Sequence, residues 1–255
     1  MDENNDILSF MNRLGDRIRP LARQYFRTRL TVDSKADHSP VTIADREIEK
    51  SLRAAIAESF PEDGIFGEEG GRVRQGSPCQ WVIDPIDGTK AFISGSPLFG
   101  CLLARLENGR VLEGMIDMPA LNERWTGDTR HCLFNGQPCH SSDCTDIGNA
   151  ILYTTSPDAF TPDELAAFER VSTRVAFRRF GGDCYIYGQL AAGFCDLVIE
   201  AGLQPYDYLA LVAVIEGAGG IITDWEGRPL GLESDGRVIA AATPALHAAA
   251  LKLLR

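Results

Sequence analysis

The chain lacks the sequence features of several common protein classes. Its seven cysteines form no C-x-x-C pair, so neither a disulfide framework nor a zinc–thiolate site is indicated, and we expect free, reduced thiols. Its four histidines show no ligand spacing, which also disfavours zinc. There is no G-x-x-x-x-G-K-[ST] loop and no G-x-S-x-G elbow. These absences disfavour nucleoside-triphosphate enzymes and serine hydrolases.

Positive charge and long apolar runs are also scarce. The 255 residues carry 36 Asp and Glu against 25 Lys and Arg, a net charge of −11. We therefore expect neither nucleic acid nor an anionic membrane as a partner. The strongest apolar run, 208–215, is far shorter than the roughly 18 residues of a membrane span. Together with an acidic N-terminus, unlike that of a signal peptide, this predicts a cytoplasmic protein.

The composition is that of a folded domain, with 44% hydrophobic and 24% charged residues. A sizeable core is therefore expected, and disorder is excluded. We predict a single domain over 1–255 made of two halves, approximately 1–145 and 146–255. Strands and helices alternate in the second half, which predicts layered sheets with helices packed on them.

Hydrophobic periodicity and turn residues predict the individual elements. Apolar residues at three- and four-residue steps predict a first helix over 7–25, which Pro20 should kink or split. A second helix is predicted over 42–60, and Asn-Gly pairs at 108–109 and 135–136 predict two hairpins. In the second half the predicted strands are 150–154, 174–180, 196–200, 221–224 and 238–241, and the predicted helices are 162–171, 184–192, 207–216 and 244–254.

Carboxylates gather in three places where charge is unusual. Glu68 and Glu69 stand between glycines, the segment 84–89 (Asp-Pro-Ile-Asp-Gly-Thr) follows a predicted strand at 81–83, and Asp207 opens an apolar helix. Each also has an ordinary structural interpretation: a solvated loop, two turn dipeptides and a helix cap.

Considered together, the three clusters indicate a cation site. A turn after the strand would bring Asp87 back beside Asp84, and Gly88 would let the backbone come close to a ligand. Mg²⁺ prefers such oxygen ligands, and two ions about 3.5–4 Å apart form the clamp used in phosphoryl displacement. The candidate ligands are Glu68, Asp84, Asp87 and Asp207.

These motifs resemble the signature of the inositol monophosphatase family of Mg²⁺-dependent, lithium-sensitive phosphatases. The resemblance covers nearly the whole chain and rests on the segments 35–45, 67–69, 84–89, 206–207 and 216–220, in that order. The family usually has Trp before its last metal aspartate, whereas this chain has Tyr206, which keeps an aromatic ring there. Segments 90–95, 97–100, 181–185 and 204–207 are more similar to the histidinol-phosphate phosphatase branch.

The resemblance implies an α+β fold layered α-β-α-β-α, as in inositol monophosphatase and fructose-1,6-bisphosphatase. Such proteins are commonly dimeric, so we expect a homodimer with the site between the two halves of each chain. Two to three Mg²⁺ ions per site are implied. The implied ligands are Glu68, Asp84 and the Ile86 carbonyl for the first ion and Asp84, Asp87 and Asp207 for the second, with Glu68 also facing a third.

The resemblance also implies how catalysis proceeds. A metal-activated water would attack phosphorus directly, and Thr89 with Asp45 would help to deprotonate it; Glu68 belongs to the same catalytic group. Backbone N–H groups of Gly88 and Thr89 would bind the phosphate at a helix N-terminus. The implied substrate-binding residues are Asp87, Gly88, Thr89 and Asp207.

Two further acids bear on the choice of substrate. Glu200 aligns with a substrate-contacting acid of the family, and Asp183 lies in a loop before a predicted helix, where it could instead be a helix cap. Two acids would favour the cationic amine of histidinol phosphate over the neutral hydroxyls of inositol phosphate. We therefore predict hydrolysis of L-histidinol phosphate to L-histidinol and phosphate, a step of histidine biosynthesis. The alternatives are an inositol-1-phosphate phosphatase, a broad sugar-phosphate or nucleotide phosphatase of the same family, and a regulatory binding protein.

Overall fold

Residues 3–34 and 40–255, described by a computed structural model, form seven α-helices and fifteen strands. The helices are α1 Glu3–Tyr25, α2 Ile43–Ser59, α3 Thr89–Ser94, α4 Pro162–Ser172, α5 Tyr185–Ala191, α6 Pro205–Gly217 and α7 Pro244–Leu254. The strands are β1 Asp33–Ser34, β2 Pro40–Val41, β3 Gly64–Gly67, β4 Gly71–Val73, β5 Cys79–Asp87, β6 Gly100–Glu107, β7 Arg110–Met118, β8 Glu123–Gly127, β9 Cys132–Phe134, β10 Gln137–Pro138, β11 Ile151–Thr154, β12 Phe177–Phe180, β13 Leu197–Glu200, β14 Ile221–Thr223 and β15 Val238–Ala241.

Two large sheets and one short β1–β2 pair organise these strands. The eight-stranded sheet has the order β10-β9-β8-β7-β6-β5-β3-β4 and is antiparallel except where β3 runs parallel to β5. The five-stranded sheet has the order β12-β11-β13-β15-β14, with β11 parallel to both of its neighbours. The last strand of the first sheet ends at Pro138, and the first strand of the second begins at Ile151.

Hydrophobic packing stacks the elements in five layers, α-β-α-β-α, as the resemblance implied. Helices α1 and α2 cover one face of the large sheet, α5 and α6 lie between the sheets, and α4 and α7 cover the far face of the small sheet. Alternation along β5 shows the cause. Trp81 and Ile83 point into the core beneath α1 and α2, whereas Val82 points into the central core.

The central helix α6 lies unusually close to the large sheet. It is apolar on all sides because a sheet lies on either side of it. A side chain at Gly114 of β7 would collide with the carbonyl oxygen of Ala210, and one at Gly127 of β8 with that of Ala213. Glycine at these crossings therefore allows α6 to bring its N-terminus against β5.

A buried ion-pair cluster attaches α1 to the large sheet. Arg124 of β8 is buried, and its Nε lies 2.5 Å from Oδ1 of Asp117, which is fully buried on β7. Its Nη2 donates to Asp16 of α1 at 2.8 Å. Arg19, also on α1, donates to Asp117 at 3.0 Å. The carboxylate of Asp117 is therefore shared by two guanidinium groups.

Several element boundaries differ from the prediction. Pro20 is predicted to kink or split the first helix; α1 continues through Pro20, so the split is wrong, and the kink stays a prediction. Buried Ile18 and Ala22 hold the turns on either side of the proline against the core. Strand β12 begins at Phe177, three residues later than predicted. All seven cysteines are free, as predicted. Of the helices in the described parts of the chain, none combines the length and apolarity that a bilayer span requires.

Candidate active site

Strand β5 carries two of the candidate carboxylates at a β-bulge. Its pairing with β6 is regular as far as Asp84, opposite Leu102, and resumes with Asp87 opposite Gly100. Three steps along β5 thus match two steps along β6, which bends the strand and changes the direction of its side chains. Pro85 is tolerated there because a bulge does not require its missing N–H. The expected turn after 81–83 is therefore wrong: the strand continues, and the bulge brings the two aspartates together.

Asp207 reaches the same place from the first turn of α6. The helix begins at Pro205, two residues earlier than predicted, and Asp207 Oδ2 accepts a hydrogen bond from the Gln204 N–H at 2.7 Å. The N-cap is Gln204, so Asp207 is not the N-cap itself but the N3 member of a capping box, and it is also a candidate ligand. Carboxylate oxygens of Asp84, Asp87 and Asp207 all lie within 4.8 Å of one another. They form the one group of three potential metal ligands found in residues 3–34 and 40–255.

Glu68 is placed beside this group by the parallel pairing of β3 with β5. Gly67 lies opposite Ile83, and the Glu68 N–H donates to the Ile83 carbonyl at 3.2 Å. Its charge contributes to the raised pKa of Asp84. The side chain also lines the cavity described below.

Glu49 supports the turn that carries Glu68, and the sequence did not reveal it. It is buried on α2, accepts hydrogen bonds from the N–H groups of Glu69 at 2.7 Å and Gly70 at 2.8 Å, and pairs with Arg53 at 2.6 Å. The sequence signal that could have identified Glu49 is the presence of an acid on the buried face of a predicted helix.

Asp45 and Thr89, the candidates for deprotonating water, flank the same carboxylates. Asp45 is buried in the first turn of α2, and its Oδ2 accepts hydrogen bonds from Thr42 N at 2.8 Å and Thr42 Oγ1 at 2.6 Å. Its charge also raises the pKa of Asp84. Thr89 Oγ1 donates to the Ile86 carbonyl at 3.0 Å. Lys35 and Asp37, which belong to the early motif, lie outside the described residues.

Gly88 joins the bulge to α3 in a conformation that suits glycine. Its φ is 79°, in the left-handed region, and a Cβ there would lie 3.0 Å from Cγ of Asp183. The Cys184 N–H donates to Asp87 Oδ2 at 2.6 Å, which ties the start of α5 to β5. Helix α5 begins at Tyr185 with Cys184 at its N-cap, so Asp183 is not the cap of this helix.

Burial and mutual repulsion make the carboxylate group hard to ionise. Burial is the largest cause of the raised pKa of Asp84, Asp87 and Asp207, and repulsion from neighbouring carboxylates adds to it. The pKa values of Asp87 and Asp207 are each raised to about 7. A divalent cation would remove this repulsion, and the donors are all carboxylate oxygens of the kind that Mg²⁺ prefers. The residues therefore fit a hard divalent cation.

A cavity of about 610 Å³ opens over these carboxylates, between the two halves of the chain. Asp183 and Glu200 line it together with three of the metal candidates, Glu68, Asp87 and Asp207, so the two proposed specificity acids border the same space. Burial, followed by the charges of Asp87 and Glu200, raises the pKa of Asp183 to about 8. The residues of the site that line the cavity are Glu68, Asp87, Gly88, Thr89, Lys90, Asp183, Glu200 and Asp207.

Comparisons with known proteins agree with this geometry. Residues 3–255 match the sequence model of the Inositol monophosphatase family. Bifunctional phosphatase IMPL2, chloroplastic, from Arabidopsis thaliana is 45% identical over 253 residues, which cover 95% of this chain and 73% of the relative. A histidinol-phosphatase from Chlorobaculum parvum is 34% identical over 230 residues, 89% of each chain. The solved structure of an inositol monophosphatase from Zymomonas mobilis superposes with a TM-score of 0.91 at 44% identity, covering 100% of this chain and 99% of the other.

Proposed function

Since this chain belongs to the inositol monophosphatase family, we propose that it is a Mg²⁺-dependent phosphomonoesterase whose substrate is L-histidinol phosphate. The products would be L-histidinol and inorganic phosphate. The observation that carries the choice of substrate is the pair Asp183 and Glu200, a half-buried and a buried acid that both line the carboxylate cavity. One relative bears the name histidinol-phosphatase, which supports the same choice.

Mg²⁺ is the cofactor that the oxygen donors favour. A solved structure of the same fold, an IMPase/NADP phosphatase, is complexed with Mg²⁺ and phosphate. When bound, Mg²⁺ supplies positive charge that stabilises the phosphoryl oxygens and makes water easier to deprotonate. We propose two to three ions per site. The residues that would hold them are Glu68, Asp84, Asp87, Asp207 and the carbonyl of Ile86.

The remaining residues of the site would bind phosphate and move a proton. Gly88 and Thr89 line the cavity, and backbone N–H groups at the start of a helix have no intrahelical acceptor, so theirs would bind the phosphate. Thr89 Oγ1 donates a hydrogen bond to the Ile86 carbonyl, so its oxygen keeps lone pairs that would accept a hydrogen bond from the attacking water and orient it. Asp45 would accept the proton that this water loses as its oxygen bonds to phosphorus. No covalent intermediate is required.

Substrate choice would follow from charge. Asp183 and Glu200 both have raised pKa values, because each is buried and Asp183 is repelled by Asp87 and Glu200. An ammonium group in this corner would relieve that repulsion, whereas a neutral hydroxyl would not. The amine of histidinol phosphate therefore suits the corner better than the ring of inositol phosphate.

The runner-up is hydrolysis of inositol phosphate, supported by the similarity to the inositol monophosphatase from Zymomonas mobilis. The test is kcat/KM with Mg²⁺ for four esters: histidinol phosphate, inositol phosphate, fructose bisphosphate and adenosine bisphosphate. We expect histidinol phosphate to be the best substrate. We also expect Asp183→Asn to lower its kcat/KM more than that of inositol phosphate. A higher kcat/KM for any of the other three esters rejects the proposed substrate.

Assembly and location belong to the same proposal. We propose a homodimer, which light scattering on the purified chain would test by its mass. A cytoplasmic location is supported by seven free cysteines, which persist in reducing compartments. Detection of the native chain in a membrane or secreted fraction would contradict that location.

A further inference from the structure

We propose that Tyr187 is a positioning residue for substrate specificity, because its hydroxyl holds the Glu200 carboxylate in place for a cationic substrate group. This inference rests on the proposed function. Tyr187 is buried on α5, and its hydroxyl donates to Glu200 Oε2 at 2.8 Å. The other oxygen, Oε1, accepts the Thr155 N–H at 2.9 Å.

Three separate elements meet at this carboxylate. Glu200 ends β13, Thr155 follows β11, and Tyr187 lies in the middle of α5. With one donor on each oxygen, the carboxylate can neither rotate about its last bond nor withdraw from the cavity. A carboxylate has about four lone-pair sites, so roughly two remain for a donor on the substrate.

These two hydrogen bonds matter because Glu200 is buried, and few other groups can hold its carboxylate in one orientation. Hydrogen bonds to an ionised group are stronger than those between neutral groups, and here they offset part of the cost of removing water from around the charge. The hydrogen bond from Tyr187 also lowers the pKa of Glu200, against the effect of burial. Without it the carboxylate would be both less fixed and less readily ionised.

Tyr187→Phe separates positioning from packing, because the buried ring remains and the hydroxyl alone is lost. We expect KM for histidinol phosphate to rise roughly 10- to 150-fold, the range expected for losing a hydrogen bond to a charged group. We expect kcat to stay within about twofold, because uniform substrate binding is affected rather than the transition state. We expect KM for inositol phosphate to change little, because its hydroxyls are neutral and gain less from the Glu200 charge. The matched control is Tyr185→Phe on the same helix, whose phenol interacts with Glu123 instead.

A double-mutant cycle tests positioning by a result that a purely structural role of Tyr187 would not give. Glu200→Gln removes the charge that Tyr187 positions, so adding Tyr187→Phe to it is expected to raise KM no further. Additive effects would overturn the positioning role, and so would an equal loss of kcat/KM for both substrates. If the wild type prefers histidinol phosphate but Tyr187→Phe has the same KM as the wild type, the positioning role is rejected and the proposed function is not. A wild type without that preference overturns the proposed function and the positioning role together.

A second inference rests on a different part of the chain, the β9–β10 hairpin. We infer that Cys132 and Cys139 form a disulfide on exposure to a small disulfide oxidant such as glutathione disulfide. Their Sγ atoms are 3.4 Å apart, and the Cys139 N–H donates to the Cys132 carbonyl at 3.0 Å, so the two residues face each other across the hairpin. Facing residues in such a pair have Cα atoms about 5.5 Å apart, within the range of disulfides.

The two thiols differ in access, which sets the order of steps. Cys139 is half-buried whereas Cys132 is buried, and the neighbouring thiol lowers the pKa of Cys139. The Cys139 thiolate attacks one sulfur of glutathione disulfide and releases one glutathione thiolate. Cys132 then loses its proton and attacks the Cys139 sulfur, which releases the second glutathione thiolate. The protein loses two electrons and two protons, and one glutathione disulfide becomes two glutathione thiols.

Mass spectrometry of the folded, full-length chain treated with glutathione disulfide tests this second inference. We expect loss of two hydrogen atoms and a linkage between Cys132 and Cys139, reversed by a thiol reductant. Cys132→Ser should instead keep a glutathione adduct on Cys139. The control Cys144→Ser, which removes another half-buried thiol, should still form the linkage. A wild type that keeps all its thiols, or carries only a glutathione adduct, overturns the inference.

Discussion

Asp87→Asn is expected to stabilise the metal-free protein at neutral pH and to remove most of its response to Mg²⁺. Burial and the carboxylate of Asp207 raise the pKa of Asp87 from 3.8 to about 7. Above the unfolded pKa, the unfolded chain releases this proton while the folded chain keeps it, so stability falls as pH rises. The loss starts near pH 4 and is complete above about pH 7, where the folded carboxylate also ionises.

The magnitude follows from the pKa difference. At about 1.4 kcal/mol per pKa unit, the penalty of burying Asp87 without a cation reaches up to about 4 kcal/mol at pH 8. Asparagine has no such penalty, but it is a weaker acceptor for the Cys184 N–H that now bonds to Asp87 at 2.6 Å. We therefore expect a net gain of about 1–3 kcal/mol at pH 8, or roughly 2–12 °C in Tm for a chain of this size.

Thermal unfolding in a chelator at pH 5 and pH 8, repeated with Mg²⁺, is the assay. The gain from Asp87→Asn should be larger at pH 8 than at pH 5, and Mg²⁺ should raise the Tm of the wild type much more than that of the variant. Asp143→Asn, at an exposed position, is the control for removing one charge and should show neither effect. An equal gain at both pH values, or no gain at pH 8, would refute the electrostatic reasoning.

Three further predictions concern the metal and the core. Removal of divalent metal should abolish phosphatase activity, Mg²⁺ should restore it and millimolar Li⁺ should inhibit it; full activity in a chelator would reject the cofactor. Gly114→Ala should cost about 1–3 kcal/mol of unfolding free energy, because its methyl group collides with the Ala210 carbonyl, whereas Gly76→Ala, in open space, should change Tm little. Arg124→Met should cost about 3 kcal/mol in urea unfolding, since it removes one of the two cations at buried Asp117; an unchanged midpoint would contradict this role.

Local sequence patterns predicted the elements best where burial is periodic. The second helix, predicted over 42–60, is observed as Ile43–Ser59 with Thr42 as its N-cap. The last helix, predicted over 244–254, has those bounds. The alternative of a split at Pro20 failed because tertiary packing overrides local preference there: residues on both sides of Pro20 are buried, and α1 continues through it.

The residues that support the site were not singled out from the sequence, because their partners are distant along the chain. Glu49 lies within the second predicted helix, and its role follows from its hydrogen bonds to the backbone of Glu69 and Gly70. Tyr187 lies within the helix predicted over 184–192, and only the approach of α5 to β13 brings its hydroxyl to Glu200. In both cases polar atoms inside the core are explained by specific long-range hydrogen bonds.

The sequence by itself determined the chemical inventory of this protein: which acids stand in unusual places, the glycines and proline beside them, and hence the family and a candidate carboxylate site for a divalent cation. The tertiary structure decided the geometry. Asp84 and Asp207 are more than a hundred positions apart, and they meet because a bulge turns β5 while glycines on β7 and β8 admit α6. The raised pKa values are likewise a property of the fold, because burial and proximity cause them and neither is local in sequence.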